Sequence, residues 1–267
     1  MDKNKAFMTA RGDGQSQMLF WDGRAGTQPH QMKLDAFQGY KPAFEGIAFA
    51  PDGRLVVTDP VNHVLAIYDV NQSELIDVIP KRYDWPGRSG HRPGEFNAPA
   101  DVAIDDAGNM YVADRDNHRV QILDARGESK GLLDPDFRFR RPFAIAYSTG
   151  HISVTDKDGT RCRIYDISKK EPRLEIEMPA LVDADRAVVN SKGRVFITGR
   201  LDKDSDLTML SFDPDGQGSA YYTGTGTQGE MGPYEKPRSI YQHRGNPLYI
   251  YMVNEFPFDV RRLHIDQ

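Results

Sequence analysis

Short runs of apolar residues recur along the chain, and each run is bounded by polar turns rich in aspartate, asparagine and glycine. Residues 44–70 and 99–126 show the pattern most clearly: an apolar run, a turn, an alternating run, a second turn and a third run. Short apolar or alternating runs separated by such turn clusters are typical of β-strands. No copy shows the period of an amphipathic helix. The pattern therefore predicts an all-β chain.

The two segments are copies of one another, because four turn and strand residues recur at a single constant offset. Weaker copies follow at 142–167, 186–213 and 237–266, and a partial copy occupies 5–22. A period of about 40 to 50 residues with three or four strands per copy is typical of the blades of a β-propeller. The matched pairs are Gly53 and Gly108, Asp59 and Asp114, Asn62 and Asn117, and His63 and His118.

The repeat predicts one domain, residues 1–267, folded as a β-propeller of about six blades with about four strands each. The first blade is expected to be incomplete, because nothing before Lys5 is long enough to supply its first strand. Other arrangements stay open: a natural start further upstream, five full blades with an extra hairpin, or a strand contributed by another chain at the open edge.

The second copy carries a specific motif. Residues 87–127 read GRSGHRPGEFNAPADVAIDDAGNMYVADRDNHRVQILDARG. This segment resembles an NHL repeat, whose pattern is a G-x-F-x-x-P lead-in, a D-x-x-G turn, a Y-V-A-D strand and an N-H-R-V opening. The first copy has Val64 and Leu65 where Arg-Val is usual, and the third has Gly159 and Thr160 in place of Asn-His. The resemblance implies a six-bladed propeller with a central channel.

The recurring acidic and Asn-His positions are interpreted as blade framework. Asp59, Asp114 and Asp156 are expected to end second strands, and the two Asn-His pairs to open third strands. Aspartate caps turn amides, and asparagine tolerates left-handed backbone geometry. A single active site would not repeat the same residue in every blade. These residues are therefore expected to be structural.

Composition narrows the classes of partner. The net charge of -5 argues against a general nucleic-acid binder, which needs a clustered basic face. The cluster Arg138, Arg140 and Arg141 is short and is interpreted as a solvated loop.

No apolar run is long enough to span a bilayer, so we expect a soluble chain without direct membrane insertion. The compartment is cytoplasmic if the chain starts as written, and periplasmic or extracellular if the natural start lies upstream. The single cysteine, Cys162, is expected to be a structural thiol.

Ligand-binding positions are expected at the channel rim, immediately before the innermost strands, where equivalent residues differ from blade to blade. Such a mixed rim of acids, an aromatic ring and arginines suits a polar ligand or a peptide. The alternative is a solvated rim whose charges pair with one another. The candidates are Glu45, Asp101, Phe143, Asp185, Arg186 and Arg238.

Two kinds of catalytic site are alternatives to this binding role. A three-histidine zinc site is disfavoured, because the seven histidines fall in repeat positions, turns and connections away from the starts of innermost strands. A lactonase-like metal hydrolase or lyase could hold a divalent cation through Glu45 and Asp185, since hard cations favour oxygen ligands. No other cofactor and no Gly-x-Ser-x-Gly elbow is indicated.

The sequence thus favours a non-catalytic binding or scaffold module that presents its rim to a protein, a peptide or a small polar ligand. Membership of a larger complex stays open. The metal-dependent hydrolase or lyase is the alternative. The longest connections, 81–97 and 219–236, are expected to protrude on one face and form the partner surface.

Overall fold

The computed structural model describes most of the chain. The described residues are 6–12, 15–21, 30–32, 42–69, 74–81, 88–156, 161–169, 172–177, 187–190, 192–200, 207–213, 215, 220–222, 237–242, 249–254 and 259–264. They divide between two compact units, Met1–Phe139 and Arg140–Gln267.

The described residues of the first unit form three antiparallel sheets. Sheet 1 is formed by β1 (Ala6–Gly12), β2 (Gln15–Trp21) and β3 (His30–Met32). Sheet 2 is formed by β4 (Ile47–Phe49), β5 (Arg54–Asp59), β6 (Val64–Asp69) and β7 (Glu74–Ile79). Sheet 3 is formed by β8 (Pro99–Ile104), β9 (Met110–Asp114), β10 (Arg119–Leu123) and β11 (Ser129–Leu132), with a 3-10 turn at Arg115–Asn117.

The second unit also contains three antiparallel sheets. Sheet 4 is formed by β12 (Pro142–Ser148), β13 (His151–Asp156), β14 (Arg161–Asp166) and β15 (Pro172–Glu177). Sheet 5 is formed by β16 (Ala187–Val189), β17 (Val195–Arg200), β18 (Leu207–Phe212) and β19 (Ala220–Tyr222). Sheet 6 is formed by β20 (Pro237–Gln242), β21 (Tyr249–Asn254) and β22 (Asp259–His264).

Every sheet is an up-and-down meander, in which consecutive strands are neighbours. In sheet 2, Val56 and Ile67 pack on the side that faces sheet 3, whereas Leu55 and Val57 pack with Phe44 on the other side. Burial on both faces explains why the sequence of β5 is a continuous apolar run rather than a strict alternation.

A shared core joins sheets 2 and 3. Side chains of both sheets contribute to it, and Phe96 from the segment before β8 fills it further. The second unit repeats this arrangement on a smaller scale, with a core between sheets 4 and 5 that contains Cys162. The core residues of the first unit include Val56, Leu65, Ile67, Ile79, Val102, Ile104, Val112 and Leu123.

The sequence prediction of an all-β chain built from repeated strands is confirmed. The residues Asp59, Asp114 and Asp156 end second strands, as expected. The sheets at the two ends of the chain have three described strands each, and the four between them have four. The expectations of six blades, of an incomplete first blade and of a single domain over 1–267 remain predictions. Among the described residues, no helix has the length and apolar character needed to cross a membrane.

Candidate functional site

Sheets 2 and 3 share an edge at which their first strands begin and their second strands turn into their third. We call this the leading edge and define it as residues 42–46, 60–63, 88–98 and 115–118. The strands are antiparallel, so the turns at 51–53, 105–109 and 124–128 lie at the other end of the strands, which we call the opposite edge.

The aspartate that ends each second strand ties down the segment that leads into the first strand of the same sheet. In sheet 2, Asp59 accepts a hydrogen bond from the backbone N–H of Ala43 at 2.9 Å and another from Asn62 at 2.9 Å. In sheet 3, Asp114 accepts one from the backbone N–H of Asn97 at 2.7 Å. The recurring aspartate is therefore a framework residue, as the sequence predicted.

Sheet 4 in the second unit has the same arrangement. The carboxylate of Asp156 accepts hydrogen bonds from the backbone N–H groups of Arg140 at 2.6 Å and Arg141 at 2.7 Å. Both arginine side chains are exposed. The backbone of this basic stretch is thus anchored to its sheet.

Arg119 at the start of β10 holds the segment that precedes β8 through hydrogen bonds, and we call this set of contacts the clamp. Its Nε donates to Asp114 Oδ2 at 2.8 Å. Its two terminal nitrogens donate to the carbonyl oxygens of His91 at 2.8 Å, Arg92 at 3.1 Å and Glu95 at 2.9 Å. The planar guanidinium has donors on several sides, which lets one side chain hold three carbonyls and a carboxylate together.

Two amide side chains complete this clamp. Asn117 Nδ2 donates to the carbonyl oxygen of Gly90 at 2.7 Å. Gln121, which is fully buried, donates to the Glu95 carbonyl at 2.7 Å and accepts from the Gly94 N–H at 3.0 Å. The segment 90–97 is therefore fixed along its length by side chains of β10 and of the turn before it.

Asp114 is the centre of these contacts and is fully buried. Asn117 and Gln121 donate to its Oδ2 in addition to Arg119. Burial raises the pKa of this carboxyl above its ordinary value, although the donors from Asn97, Asn117 and Arg119 favour the charged form.

His63 connects the two sheets at the leading edge. It adopts left-handed backbone geometry, with a φ of 58°, and its Nδ1 accepts a hydrogen bond from the N–H of Ala98 at 3.0 Å. Burial lowers the pKa of His63, although the carboxylates of Asp116, Asp59 and Asp114 act in the other direction. The neutral imidazole is the form that this contact requires, because Nδ1 acts as the acceptor.

A second link between the sheets joins Glu45 and Arg115, whose Oε1 and Nη1 lie 2.9 Å apart. Both side chains are largely buried, at 26% and 18% exposure. Next to Glu45, Gly46 lies against the start of β8, where a Cβ on Gly46 would come within 2.6 Å of the Cα of Asp101. The absence of a side chain at Gly46 lets the two backbones approach this closely.

The structure brings together two of the six candidate rim residues. Glu45 precedes Gly46 in the chain, and Asp101 packs against Gly46. Asp101 is buried, with its Oδ1 accepting from the Val102 N–H at 2.9 Å. Phe143 is a half-buried residue of β12 in the second unit.

The other three candidates are less fully placed. Arg238 belongs to β20, and its side chain is not among those described. Asp185 and Arg186 lie outside the described residues. The six positions therefore stay predictions as a binding rim.

The proposed divalent cation site also stays a prediction. The Glu45 carboxylate contacts the Arg115 guanidinium, and its suggested partner Asp185 is not described. Within the residues the structure describes, no group of three or more histidine, cysteine, aspartate or glutamate side chains is arranged to hold a metal ion.

Sequence reasoning did not identify the role of Arg119 or the exposed residues that it positions. Arg88, Ser89, His91, Arg92 and Pro93 are all exposed. Two motifs in the sequence could have indicated this contact. The Asn-His-Arg residues at the opening of β10 bind the segment that contains the Gly-x-Phe-x-x-Pro lead-in to β8. The prediction that the connections 81–97 and 219–236 protrude on one face and form the partner surface stays a prediction, because residues 82–87 lie outside the described residues. The second connection, 219–236, lies outside the described residues except at 220–222.

Solved structures define the class of fold. The U3-55K structure aligns with a TM-score of 0.61 over 86% of this chain and 63% of that chain, at 13% identity. The structure of the RRP9 WD40 repeats aligns with a TM-score of 0.60 over 86% of this chain and 62% of that chain, also at 13% identity. At this identity the likeness concerns the fold alone. Together with the repeated antiparallel sheets, it defines the chain as a protein of the β-propeller type.

The particular kind of repeat is shown by the family comparison. The family model described as NHL repeat matches residues 96–123, which run from Phe96 to the end of β10. The chain therefore carries an NHL repeat in sheet 3, and the resemblance inferred from residues 87–127 is confirmed.

Curated relatives match over short segments. Protein brain tumor of Drosophila melanogaster is 29% identical over 118 residues, which are 42% of this chain and 11% of that protein. NHL repeat-containing protein 3 of Homo sapiens is 36% identical over 63 residues, 23% of this chain and 18% of that protein. E3 ubiquitin-protein ligase TRIM32 of Homo sapiens is 28% identical over 96 residues, 30% of this chain and 15% of that protein. The matched segments thus span less than a fifth of each relative's length.

Proposed function

We propose that this chain is a protein-interaction module whose leading edge in the first unit binds a protein or peptide partner. The proposal includes membership of a larger complex, in which the propeller-type fold serves as a rigid support. One of the relatives is named as an NHL repeat-containing protein and another as an E3 ubiquitin-protein ligase. The similarity of this chain to these relatives, together with its NHL repeat, supports a role in which the repeat carries recognition.

The observation that carries the proposal is the combination of a fixed backbone and exposed side chains in segment 88–98. Framework contacts hold this backbone through Arg119, Asn117 and Gln121. Its neighbouring side chains at 88, 89 and 91–93 are nevertheless exposed. A binding loop that is already ordered loses little conformational entropy when a partner binds, which strengthens association.

Ser89→Trp tests the proposal by placing bulk on the leading edge without changing charge. Peptides enriched from a displayed random library on the wild-type chain are labelled, and their binding is measured by fluorescence anisotropy. We expect Ser89→Trp to weaken the enriched peptides by roughly tenfold or more, because a bulky side chain blocks close contact at an interface centre.

The matched control is Ser129→Trp. Ser129 is an exposed serine at the start of β11, outside the leading edge. This control should leave binding within about twofold of the wild type, since surface substitutions away from a contact have small effects. The proposal is wrong if no peptide is enriched, or if the two tryptophan variants weaken binding equally while both retain the wild-type circular dichroism spectrum.

A further inference from the structure

The fixed segment presents a histidine and an arginine side chain. His91 and Arg92 are exposed, whereas their carbonyl oxygens accept hydrogen bonds from Arg119. Because these carbonyls are held from the protein side, the backbone from which the two side chains project is fixed before any ligand arrives. Arg92 therefore projects from a fixed backbone position on the leading edge.

The nearest acidic residue of the same segment is turned toward the backbone. Glu95 Oε2 accepts from the Arg92 N–H at 3.2 Å, and the Glu95 side chain lies against Gly90. Asp114, the other acid of this clamp, is buried beneath the segment. Residues 91–93 carry no acidic side chain of their own, and Arg92 gives this stretch a positive charge, in contrast with the net charge of -5 of the whole chain.

We propose, resting on the function proposed above, that segment 91–93 recognises an acidic stretch of the partner. A guanidinium pairs with a carboxylate through two parallel hydrogen bonds, which gives orientation as well as attraction. A nucleic acid is the less suitable polyanion, because it needs a broad basic face and residues 91–93 offer only a short stretch. The partner class is therefore an extended peptide rich in aspartate or glutamate.

The probe is a fluorescein-labelled peptide of alternating glutamate and serine, and its binding is measured by anisotropy at low ionic strength. We expect Arg92→Glu to weaken this peptide by roughly tenfold, since one attraction becomes one repulsion at an exposed site. A second change, His91→Glu, should weaken binding further. Raising the salt to about 0.5 M should weaken binding to the wild type, because screening shortens the range of the attraction.

The matched control is Arg126→Glu, an equal charge change at an exposed residue of the opposite edge. It should leave binding within about twofold of the wild type. The same peptide with glutamine in place of glutamate, and a single-stranded oligouridylate of equal length, complete the set. The glutamate peptide should bind most tightly of the three.

Three outcomes overturn the inference. They are equal losses for Arg92→Glu and Arg126→Glu, tighter binding of the oligouridylate, or equally tight binding of the glutamine peptide. The inference can fail while the proposed function stands, namely when Ser89→Trp removes binding of the enriched peptides and those peptides carry no excess of acidic residues. Urea midpoints equal to the wild type exclude unfolding as the cause of a loss.

Discussion

Replacement of Arg119 by lysine is expected to loosen the segment 90–97 while leaving the sheets intact. Lysine keeps the positive charge and the aliphatic stem, so the change removes only the planar set of donors. An ammonium group is a single point of contact and cannot reach Asp114 and all three carbonyl oxygens of the segment together. We therefore expect the loss to fall on the leading edge of sheet 3.

The size of the expected loss in free energy follows from the hydrogen bonds that lysine cannot make. Arg119 makes four hydrogen bonds, one to Asp114 and one to each carbonyl of His91, Arg92 and Glu95. If lysine retains two of them, two bonds from a charged donor are lost, each worth about 1.5 kcal/mol or less at a side chain that is partly exposed. The free energy for local opening of the segment should fall by about 2–3 kcal/mol.

Amide hydrogen exchange measures this opening directly. The N–H groups of Gly94 and Asn97 report it, because their acceptors are Gln121 Oε1 and Asp114 Oδ1. A change of that size should speed their exchange by roughly 30- to 150-fold. The N–H of Gly108 at the opposite edge should exchange at the wild-type rate, and so should every amide in the control variant Arg126→Lys.

Two results would refute this reasoning about the clamp. One is an acceleration of less than about threefold at both reporter amides, which would mean that the guanidinium contacts contribute little. The other is an equal acceleration at Gly108, which would mean that the whole sheet, and not the segment, depends on Arg119.

Three further predictions concern the frame around this edge. Gly46→Ala should lower the free energy of unfolding by about 1–3 kcal/mol in urea denaturation, because the new Cβ would meet the backbone of Asp101; an unchanged midpoint would contradict the close approach. The stabilisation from neutral His63 should be fully present above the ordinary pKa of 6.5 and should be lost as the pH falls from 6.5 toward the lowered pKa of His63 in the folded state. His63→Asn should therefore show a smaller drop in its urea midpoint on acidification than the wild type. An equal drop would exclude this role of His63. Burial raises the pKa of the Cys162 thiol to about 12, so this thiol should react with Ellman's reagent only after unfolding, and rapid labelling of the native chain would show that it is accessible.

The sequence was most informative where a short pattern determines a local structure. Alternating apolar runs located the strands, and the aspartates at 59, 114 and 156 were correctly read as framework residues because they recur. The Asn-His-Arg and Gly-x-Phe-x-x-Pro elements identified sheet 3 as an NHL repeat, as the match to residues 96–123 confirms.

The sequence was least informative where contacts join distant parts of the chain. Arg119 donates to backbone carbonyl groups. Every residue has such a group, so the sequence does not indicate which carbonyls Arg119 contacts. The pair of Glu45 and Arg115 forms because sheets 2 and 3 pack together, which neither residue indicates alone. Ala98 adopts a left-handed φ of 51°, which the presence of an alanine does not predict. The hydrogen bond from Ala98 to His63 depends on this backbone geometry.

The first copy of the repeat has Val64 at the position that corresponds to Arg119 in the second copy, and the two side chains differ in what they contact. Val64 occupies the equivalent position in sheet 2 and packs in the interior, so it cannot clamp the segment before β4. The carboxylate of Asp59 holds that segment through the Ala43 N–H. The arginine clamp is therefore a feature of sheet 3 that Val64 cannot provide in sheet 2.

Hydrogen exchange of the wild-type chain with and without a saturating enriched peptide tests most directly whether the leading edge is the binding surface. Bound peptide should slow exchange in residues 88–98 and 115–118 and leave the turns at 105–109 and 124–128 unchanged. Slowed exchange confined to those two turns, with the leading edge unaffected, would contradict the account.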